Sequence, residues 1–280
     1  MAVRIITDST ADIPLKTIQE LGITVIPHNI IFGHESLRDR VDISINEFYR
    51  RLEKENVYPT TTQPAQSLFK ETYRSILDSG DEAVAIIVSS CLSGTYSSAF
   101  NAASQIKDKG RIKVIDSKLT TLSMGLVVIE AAMMAQEGAS LDEVVATVKE
   151  LLPRSNTLMA FDTLTYLSKG GKLGKAQGLL GSMLSVKPVL TLKDGVVFPV
   201  TRFRSFSSAI DYLYTHVSNM KSIMALGVGH ATTKPTADNL ALRLGEFYPH
   251  NQIYRSRISP VLSTYIGPNI LSVSFIEGAN

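Results

Sequence analysis

Residues 84–100 read VAIIVSSCLSGTYSSAF and consist of an apolar run, a loop rich in hydroxyls and the start of a helical pattern. Val84–Val88 predicts a buried strand, and the helical pattern begins at Tyr96. Ser93-Gly94-Thr95 therefore lies where a helix begins, at N–H groups that lack partners within the helix and carry a partial positive charge. Such a loop is suited to a carboxylate or a phosphate. We expect hydroxyls, rather than a lysine or a metal, to hold that anion.

The alternation of strand and helix extends outward from this stretch through the first half of the chain. Strand patterns lie at Val3–Thr7, Val84–Val88 and Ile112–Ile115, with helical patterns between them. Strands separated by helices predict a mainly parallel sheet with helices on both faces, which is a three-layer α/β/α domain. Such sheets bind ligands at the carboxyl ends of their strands. The loops that start at Asp8, Ser89 and Asp116 would therefore share one edge.

The second half of the chain has a different pattern. Asp194-Gly195 separates two β-like runs and predicts a hairpin. Three further strand patterns and two helical patterns follow, which indicates a mixed sheet with helices on one face, a two-layer α/β domain. We place the boundary near Pro153, so that residues 1–153 form the N-terminal domain and residues 154–280 the C-terminal one.

Composition limits the classes of protein to consider. The chain has 280 residues and a formal net charge of +2, which gives no support for a nucleic-acid-binding protein. Its single cysteine, Cys91, cannot form an intramolecular disulfide, which suits a reducing compartment. The most apolar helical pattern, Leu122–Ala135, contains Glu130 and is too short to span a bilayer. With no signal peptide at the start, we expect a cytoplasmic protein without stable membrane insertion.

Two clusters of hydroxyls precede helical patterns, and each has a simpler explanation. Ser93 and Thr95 have the residue types that cap helix N-termini, and from this loop alone capping is favoured over ligand binding. Thr60-Thr61-Thr62 precedes Pro64 and another helical pattern, with Thr62 as the expected cap. Three consecutive threonines nevertheless exceed what one cap requires, so a role in binding stays open.

Other kinds of chemistry have weaker support. No G-x-S-x-G elbow surrounds Ser93, but His230 follows a strand, so a Ser–His pair stays open. Lys169–Lys175 is rich in glycine and lysine without the spacing of a phosphate loop, which favours a basic surface turn. Asp8 and Asp116 are better explained by loop capping than by a carboxylate pair. The histidines are scattered and show no spacing of metal ligands, so we expect no metal site.

Several motifs taken together resemble the DegV family. They are TDSTADIP at Thr7–Pro14, TTTQP at Thr60–Pro64, SSCLSGTYSSA at Ser89–Ala99, IDS at Ile115–Ser117 and YLSKGGKLG at Tyr166–Gly174. The resemblance covers nearly the whole chain and implies an N-terminal α/β/α domain, a C-terminal α/β domain and a ligand between them. That ligand would be a long-chain fatty acid. The protein would be the acyl-carrying subunit of a bacterial fatty acid kinase, whose separate ATP-dependent kinase protein phosphorylates the carboxylate to an acyl phosphate.

The resemblance also implies roles for individual residues. Thr61 and Ser93 would donate hydrogen bonds to the fatty-acid carboxylate, and Thr62, Gly94 and Thr95 would support that pocket. Arg202 and Arg204 would lie near its mouth and face the kinase. No further cofactor is implied.

Two positions depart from the family pattern at the expected headgroup. Tyr265 stands where the family usually has a histidine, so it can donate a hydrogen bond but supplies no imidazole. Lys172 stands where the family usually has an arginine, which keeps the charge and loses the bidentate fork.

The function that we expect is a lipid-binding carrier without catalysis of its own. The alternatives are a Ser-dependent hydrolase or phosphotransferase that uses Ser93 with His230, and a regulatory lipid sensor, which the sequence does not separate from a carrier.

Overall fold

The first half of the chain is built around a four-stranded parallel sheet. A computed structural model describes residues 1–54, 58–182 and 186–279. The sheet has the order β2-β1-β6-β7 and consists of β1 (Val3–Asp8), β2 (Thr24–Ile26), β6 (Glu82–Ile87) and β7 (Ile112–Asp116). All neighbouring pairs are parallel, so the loops after β1, β6 and β7 share one edge, as predicted.

Two groups of helices cover this sheet and give the predicted three layers. One group is α3 (Gln66–Asp78) with α4 (Thr95–Ser104), and the other is α1 (Leu15–Leu21), α5 (Thr121–Gln136) and α6 (Leu141–Leu151). A capping box begins α6, where Ser140 Oγ accepts from Glu143 N and the Glu143 carboxylate accepts from Ser140 N.

A three-stranded antiparallel sheet of order β4-β3-β5 is a separate feature of the first half. It contains β3 (Asn29–Phe32), β4 (Glu35–Arg38) and β5 (Thr60–Thr62), and α2 (Ile45–Lys54) lies between β4 and β5 in the chain. The prediction that Thr62 caps a helix is wrong. Thr60–Thr62 forms a strand because its backbone pairs with β3, and the N-cap of α3 is Ala65.

The second half forms a six-stranded mixed sheet of order β10-β9-β8-β13-β11-β12. Its strands are β8 (Ser155–Phe161), β9 (Lys187–Lys193), β10 (Val196–Phe203), β11 (Ile223–His230), β12 (Tyr254–Arg257) and β13 (Ile270–Glu277). The predicted hairpin at Asp194-Gly195 joins β9 to β10, and both residues have positive φ angles, of 53° and 82°. The remaining helices are α7 (Thr165–Lys169), α8 (Phe206–Ser218), α9 (Lys234–Leu244) and α10 (Pro260–Ile266). The α/β fold class is confirmed, and the boundary near Pro153 stays a proposal.

Helix α5 packs against both large sheets. It contacts β1 and β6 of the parallel sheet and β8, β11 and β13 of the mixed sheet, and its first turns are buried all round. Gly125 permits the closest approach, since a Cβ at this position would overlap the Ala11 carbonyl oxygen. A helix that is apolar on every side is expected to be buried on every side. Among the described residues, no helix is long and apolar enough to cross a bilayer.

Candidate functional site

A cavity of about 380 Å³ lies where the loop after β6 meets the small sheet, α10 and the mixed sheet. Most of its apolar lining comes from one packed cluster that joins the small sheet to the mixed sheet, and includes Met159, Phe161, Leu167, Leu192, Val197, Val261 and Ile266. Its polar lining includes Thr61, Ser93, Lys172, Tyr265 and His28. A concave, mostly apolar site with a few polar groups is the usual form of a small-molecule pocket, and its volume is within the common range of roughly 300–1,000 Å³.

The loop after β6 supplies the hydroxyl of Ser93. Gly94 is the N-cap of α4, and no side chain makes a capping hydrogen bond to this helix. Ser93 Oγ instead accepts from Thr95 N at 3.3 Å and lies 2.8 Å from Thr95 Oγ1. This contact with the first N–H of α4 comes from the residue before the N-cap, and it does not use the Ser93 hydroxyl proton. A Cβ on Gly94 would press against the Gln63 side chain, another residue of the cavity wall, so glycine allows the two loops to meet.

The loop that contains β5 and the helix α10 supply a second pair of hydroxyls. Thr61 Oγ1 lies 2.5 Å from Tyr265 OH, so this pair bridges the small sheet and α10. Both residues line the cavity. The departure at Tyr265 thus leaves a phenol next to one of the hydroxyls predicted to bind a carboxylate.

A lysine also lines the cavity, contrary to the expectation of a site without one. Lys172 Nζ donates to the Leu92 carbonyl oxygen at 2.7 Å and lies 5.7 Å from the centre of the Tyr265 ring. The glycine-rich turn places this ammonium group against the loop after β6 rather than in open solvent. Its positive charge adds to that of the α4 N-terminus.

His28 is a cavity residue that the sequence analysis missed. It follows β2 and is 3% exposed, with Nε2 2.9 Å from Thr95 Oγ1 and Nδ1 3.3 Å from Ser9 Oγ. Burial lowers the pKa of the imidazole, against the influence of Asp8, so the ring is held neutral. Its position after a strand that pairs in parallel with β1 could have identified His28 as a site residue, because ligands bind at the carboxyl ends of such strands.

Two buried carboxyl groups lie behind this edge. Desolvation raises the pKa of Asp12 to about 7 and that of Asp39 to about 6, although the nearby Arg40 opposes both shifts. Asp12 Oδ1 accepts from Ser259 N at 2.8 Å, and its backbone carbonyl accepts from Ser256 Oγ. Asp12 therefore ties the loop after β1 to the second half of the chain.

The remaining predicted site residues lie outside the cavity lining. Thr95 is buried directly behind Ser93, whereas Thr62 is exposed and accepts from Asn29 Nδ2 at 3.3 Å. Arg202 and Arg204 are exposed, at the end of β10 and just after it. Among residues 1–54, 58–182 and 186–279, no group of three or more metal-ligating side chains is placed to hold an ion.

The structure does not bring Ser93 and His230 together. His230 lies at the end of β11 and lines a different cavity with Lys234, Asp238 and Arg257, and the two cavities share no lining residue. The hydrolase and phosphotransferase alternatives therefore lack the base proposed for them. The imidazole hydrogen-bonded nearest to Ser93 is that of His28, which reaches it through Thr95.

Comparison with known proteins identifies relatives over the whole chain. The DegV family profile, described as "uncharacterised protein, DegV family", matches residues 2–278. A DegV domain-containing protein of Caldanaerobacter subterraneus subsp. tengcongensis is 38% identical, and the match covers 98% of this chain and 99% of that one. A structure described as fatty acid binding of a DegV family protein from Thermus thermophilus aligns with a TM-score of 0.91 at 28% identity, covering 99% and 100% of the chains. DegV from Bacillus subtilis, described as a fatty acid binding protein, aligns with a TM-score of 0.90 at 30% identity and the same coverage.

Proposed function

The chain belongs to the DegV family, and from this we propose that it binds a long-chain fatty acid and presents the carboxylate to a separate ATP-dependent kinase, which converts it to an acyl phosphate. The observation that carries the proposal is one cavity that joins a continuous apolar wall to a group of hydroxyls and one ammonium group. The apolar wall suits an alkyl chain, and the polar group suits a single anionic headgroup.

The apolar wall and the polar group are expected to make different contributions to the binding free energy. Burial of about fourteen methylenes at ~0.8 kcal/mol each contributes roughly 11 kcal/mol before the costs of ordering the ligand. A hydrogen bond to a charged group contributes about 1.5–3 kcal/mol. The alkyl chain of the ligand therefore dominates the affinity, and the hydroxyls set the orientation of the carboxylate.

We assign the headgroup to Thr61 and Ser93, assisted by Tyr265. Thr61 and Tyr265 are already hydrogen-bonded to each other, and Ser93 lies just before α4, where its oxygen accepts from Thr95 N. Gly94 and Thr95 hold the Ser93 loop, while Thr62 acts through its strand rather than by contact. Neutral donors leave the carboxylate oxygens free to attack phosphorus, and Lys172, which uses one of its three N–H donors on the Leu92 carbonyl oxygen, adds positive charge beside them.

We further propose that phosphoryl transfer takes place on the partner, so that this chain is a carrier without catalysis of its own. Arg202 and Arg204 are exposed at the end of β10 and just after it, and they offer a basic surface for the kinase; Val197 of the same strand lines the cavity. With a single cysteine in the sequence, we place this activity in the cytoplasm.

Native mass spectrometry of the purified protein tests the binding function. We expect a bound species whose added mass equals one long-chain fatty acid, and stoichiometric uptake of palmitate by protein from which lipid has been extracted. A protein that carries no lipid and ignores added palmitate would overturn the proposal. Turnover of an ester or of ATP by the isolated chain would overturn the carrier assignment alone.

Replacement of Ser93 by alanine distinguishes the role of the carboxylate headgroup from that of the alkyl chain of the ligand. For Ser93→Ala we expect palmitate binding to weaken by about tenfold, the lower end of the range for one hydrogen bond to a charged group. Acyl phosphate formation with the kinase partner should fall by about 100-fold, because the misplaced carboxylate no longer meets the phosphorus. Ser98→Ala, one turn further along α4, is the matched control, and wild-type turnover by Ser93→Ala would remove the assigned role.

A further inference from the structure

A chain of hydrogen bonds runs from the cavity into the interior behind Ser93. Ser93 Oγ lies 2.8 Å from Thr95 Oγ1, which lies 2.9 Å from His28 Nε2. On the far side of the ring, His28 Nδ1 lies 3.3 Å from Ser9 Oγ. Ser9, His28 and Thr95 are all buried, so these groups satisfy one another.

Once a carboxylate occupies the cavity, the number of protons on these groups decides which one donates in each hydrogen bond. A carboxylate only accepts hydrogen bonds, so Ser93 must spend its single hydroxyl proton on the ligand. The contact between Ser93 Oγ and Thr95 Oγ1 then requires the threonine hydroxyl to donate. With its own proton committed to Ser93, Thr95 Oγ1 must accept from His28, which requires a proton on Nε2.

The surroundings of Nδ1 are compatible with an unprotonated nitrogen. Ser9 Oγ accepts from the His28 backbone N–H at 3.2 Å, and its own proton is available to Nδ1, with the Asp39 carboxyl as the other acceptor within its reach. The Asp8 carboxylate would favour a proton on Nδ1, but its Oδ1 is 3.8 Å away and accepts from both the N–H and the hydroxyl of Thr10. Its Oδ2 accepts from Val88 N, so Asp8 is satisfied without the imidazole.

Arg40 and Asp39 also lie near the ring and make backbone contacts there, while the buried Asp39 carboxyl faces Ser9 and Val261. Arg40 donates to the Ser9 carbonyl oxygen at 2.6 Å, and the Asp39 N–H donates to the His28 carbonyl oxygen at 2.8 Å. The neutral imidazole of His28 has one N–H. Whether that proton is on Nε2 or on Nδ1 decides whether Ser93 donates or accepts in the cavity.

We propose that His28 is a positioning residue: with ligand bound, it carries its proton on Nε2 and, through Thr95, makes Ser93 a hydrogen-bond donor to the carboxylate. The inference rests on the proposed function, because the carboxylate is the fatty-acid headgroup. It adds to that function a residue that acts on the headgroup through Thr95 and Ser93 and that fixes the polarity of the site. A protein whose His28 held the proton on Nδ1 would turn Ser93 into an acceptor, which repels a carboxylate.

Long-range ¹H–¹⁵N spectra of the histidine rings test the proposal directly, because protonated and unprotonated ring nitrogens have distinct shifts. The sample is the full chain, labelled with ¹⁵N and saturated with [1-¹³C]palmitate, and the His28 signals are those missing from His28→Gln. We expect Nε2 to carry the proton in the complex. A ring protonated on Nδ1 in the complex overturns the proposal.

Variants give a second readout, the ¹³C shift of the bound carboxyl group. His28→Gln can place an amide N–H toward Thr95, so the shift should remain near that of the native complex. His28→Leu and Thr95→Val interrupt the chain at different points, so both should move the shift in the same direction and weaken palmitate binding about tenfold. His34→Gln, at an exposed position, is the control.

The outcomes separate this inference from the proposed function. If native protein shows no bound [1-¹³C]palmitate signal, both the proposed function and the role of His28 are wrong. If the signal is present and the leucine and valine variants both match the native complex, the fatty-acid function stands and the role of His28 is wrong.

Discussion

Val197→Phe is expected to weaken palmitate binding roughly 50-fold and to shift the preference toward shorter chains. Val197 lines the cavity from β10 and is 6% exposed. The phenyl ring would occupy space that about three methylenes of the ligand need, at ~0.8 kcal/mol for each. Laurate, which requires less of the cavity, should lose much less affinity, so the ratio of the two dissociation constants is the quantity to measure by calorimetry.

The same substitution three residues along β10 is the matched control. Val200 is 38% exposed and does not line the cavity, so Val200→Phe should leave both dissociation constants unchanged. Circular dichroism establishes that both variants are folded. If Val197→Phe binds palmitate and laurate in the native ratio, this cavity does not hold the acyl chain.

Gly125→Ala is expected to lower the free energy of unfolding by about 3 kcal/mol, although alanine is the better helix former by about 1 kcal/mol. The added Cβ would overlap the Ala11 carbonyl oxygen, and it would also crowd Ile13 and Leu122. A backbone atom cannot turn away as a side chain can, so α5 or the loop after β1 must shift. The measurement is urea unfolding of native and variant protein.

Gly178→Ala is the control for this prediction. Gly178 has open space where a Cβ would lie, and its φ angle is not positive. We expect a change within about 0.5 kcal/mol for this surface position. Equal stability of Gly125→Ala and the native chain would show that α5 has room to move away from Ala11. Because Ala11 follows Asp8 and Thr10, a shift there should also disturb the ligand edge.

Local patterns were sufficient to predict much of the fold. The apolar run of β6 and the small residues after it place Ser93 at the start of α4, and Asp194-Gly195 marks the hairpin of the mixed sheet. The long apolar stretch of α5, interrupted by Glu130, is typical of a buried helix. Each of these signals depends on residues that are neighbours in the chain, which is why sequence alone was informative.

Features that depend on distant pairing could not be predicted in the same way. Thr60–Thr62 is a strand only because β3 offers its backbone, and a local view gave it the role of a helix cap. His28 gains its place in the site from Ser9 and Thr95, which lie 19 and 67 residues away in the chain. The sequence indicated that Lys172 lies in a basic surface turn. In the structure it donates a hydrogen bond to the Leu92 carbonyl oxygen, 80 residues away in the chain.

Helix α5 makes the two halves of the chain thermodynamically dependent on each other. Its sequence belongs to the first half, yet it covers β8, β11 and β13 of the second. A fragment that ends at residue 153 would leave that apolar surface in water, and a fragment that begins there would lack part of its own core. We therefore expect the two halves to unfold together in one cooperative transition. The ligand edge is then stabilised by the folding of the whole chain, rather than lying at a hinge between independent units.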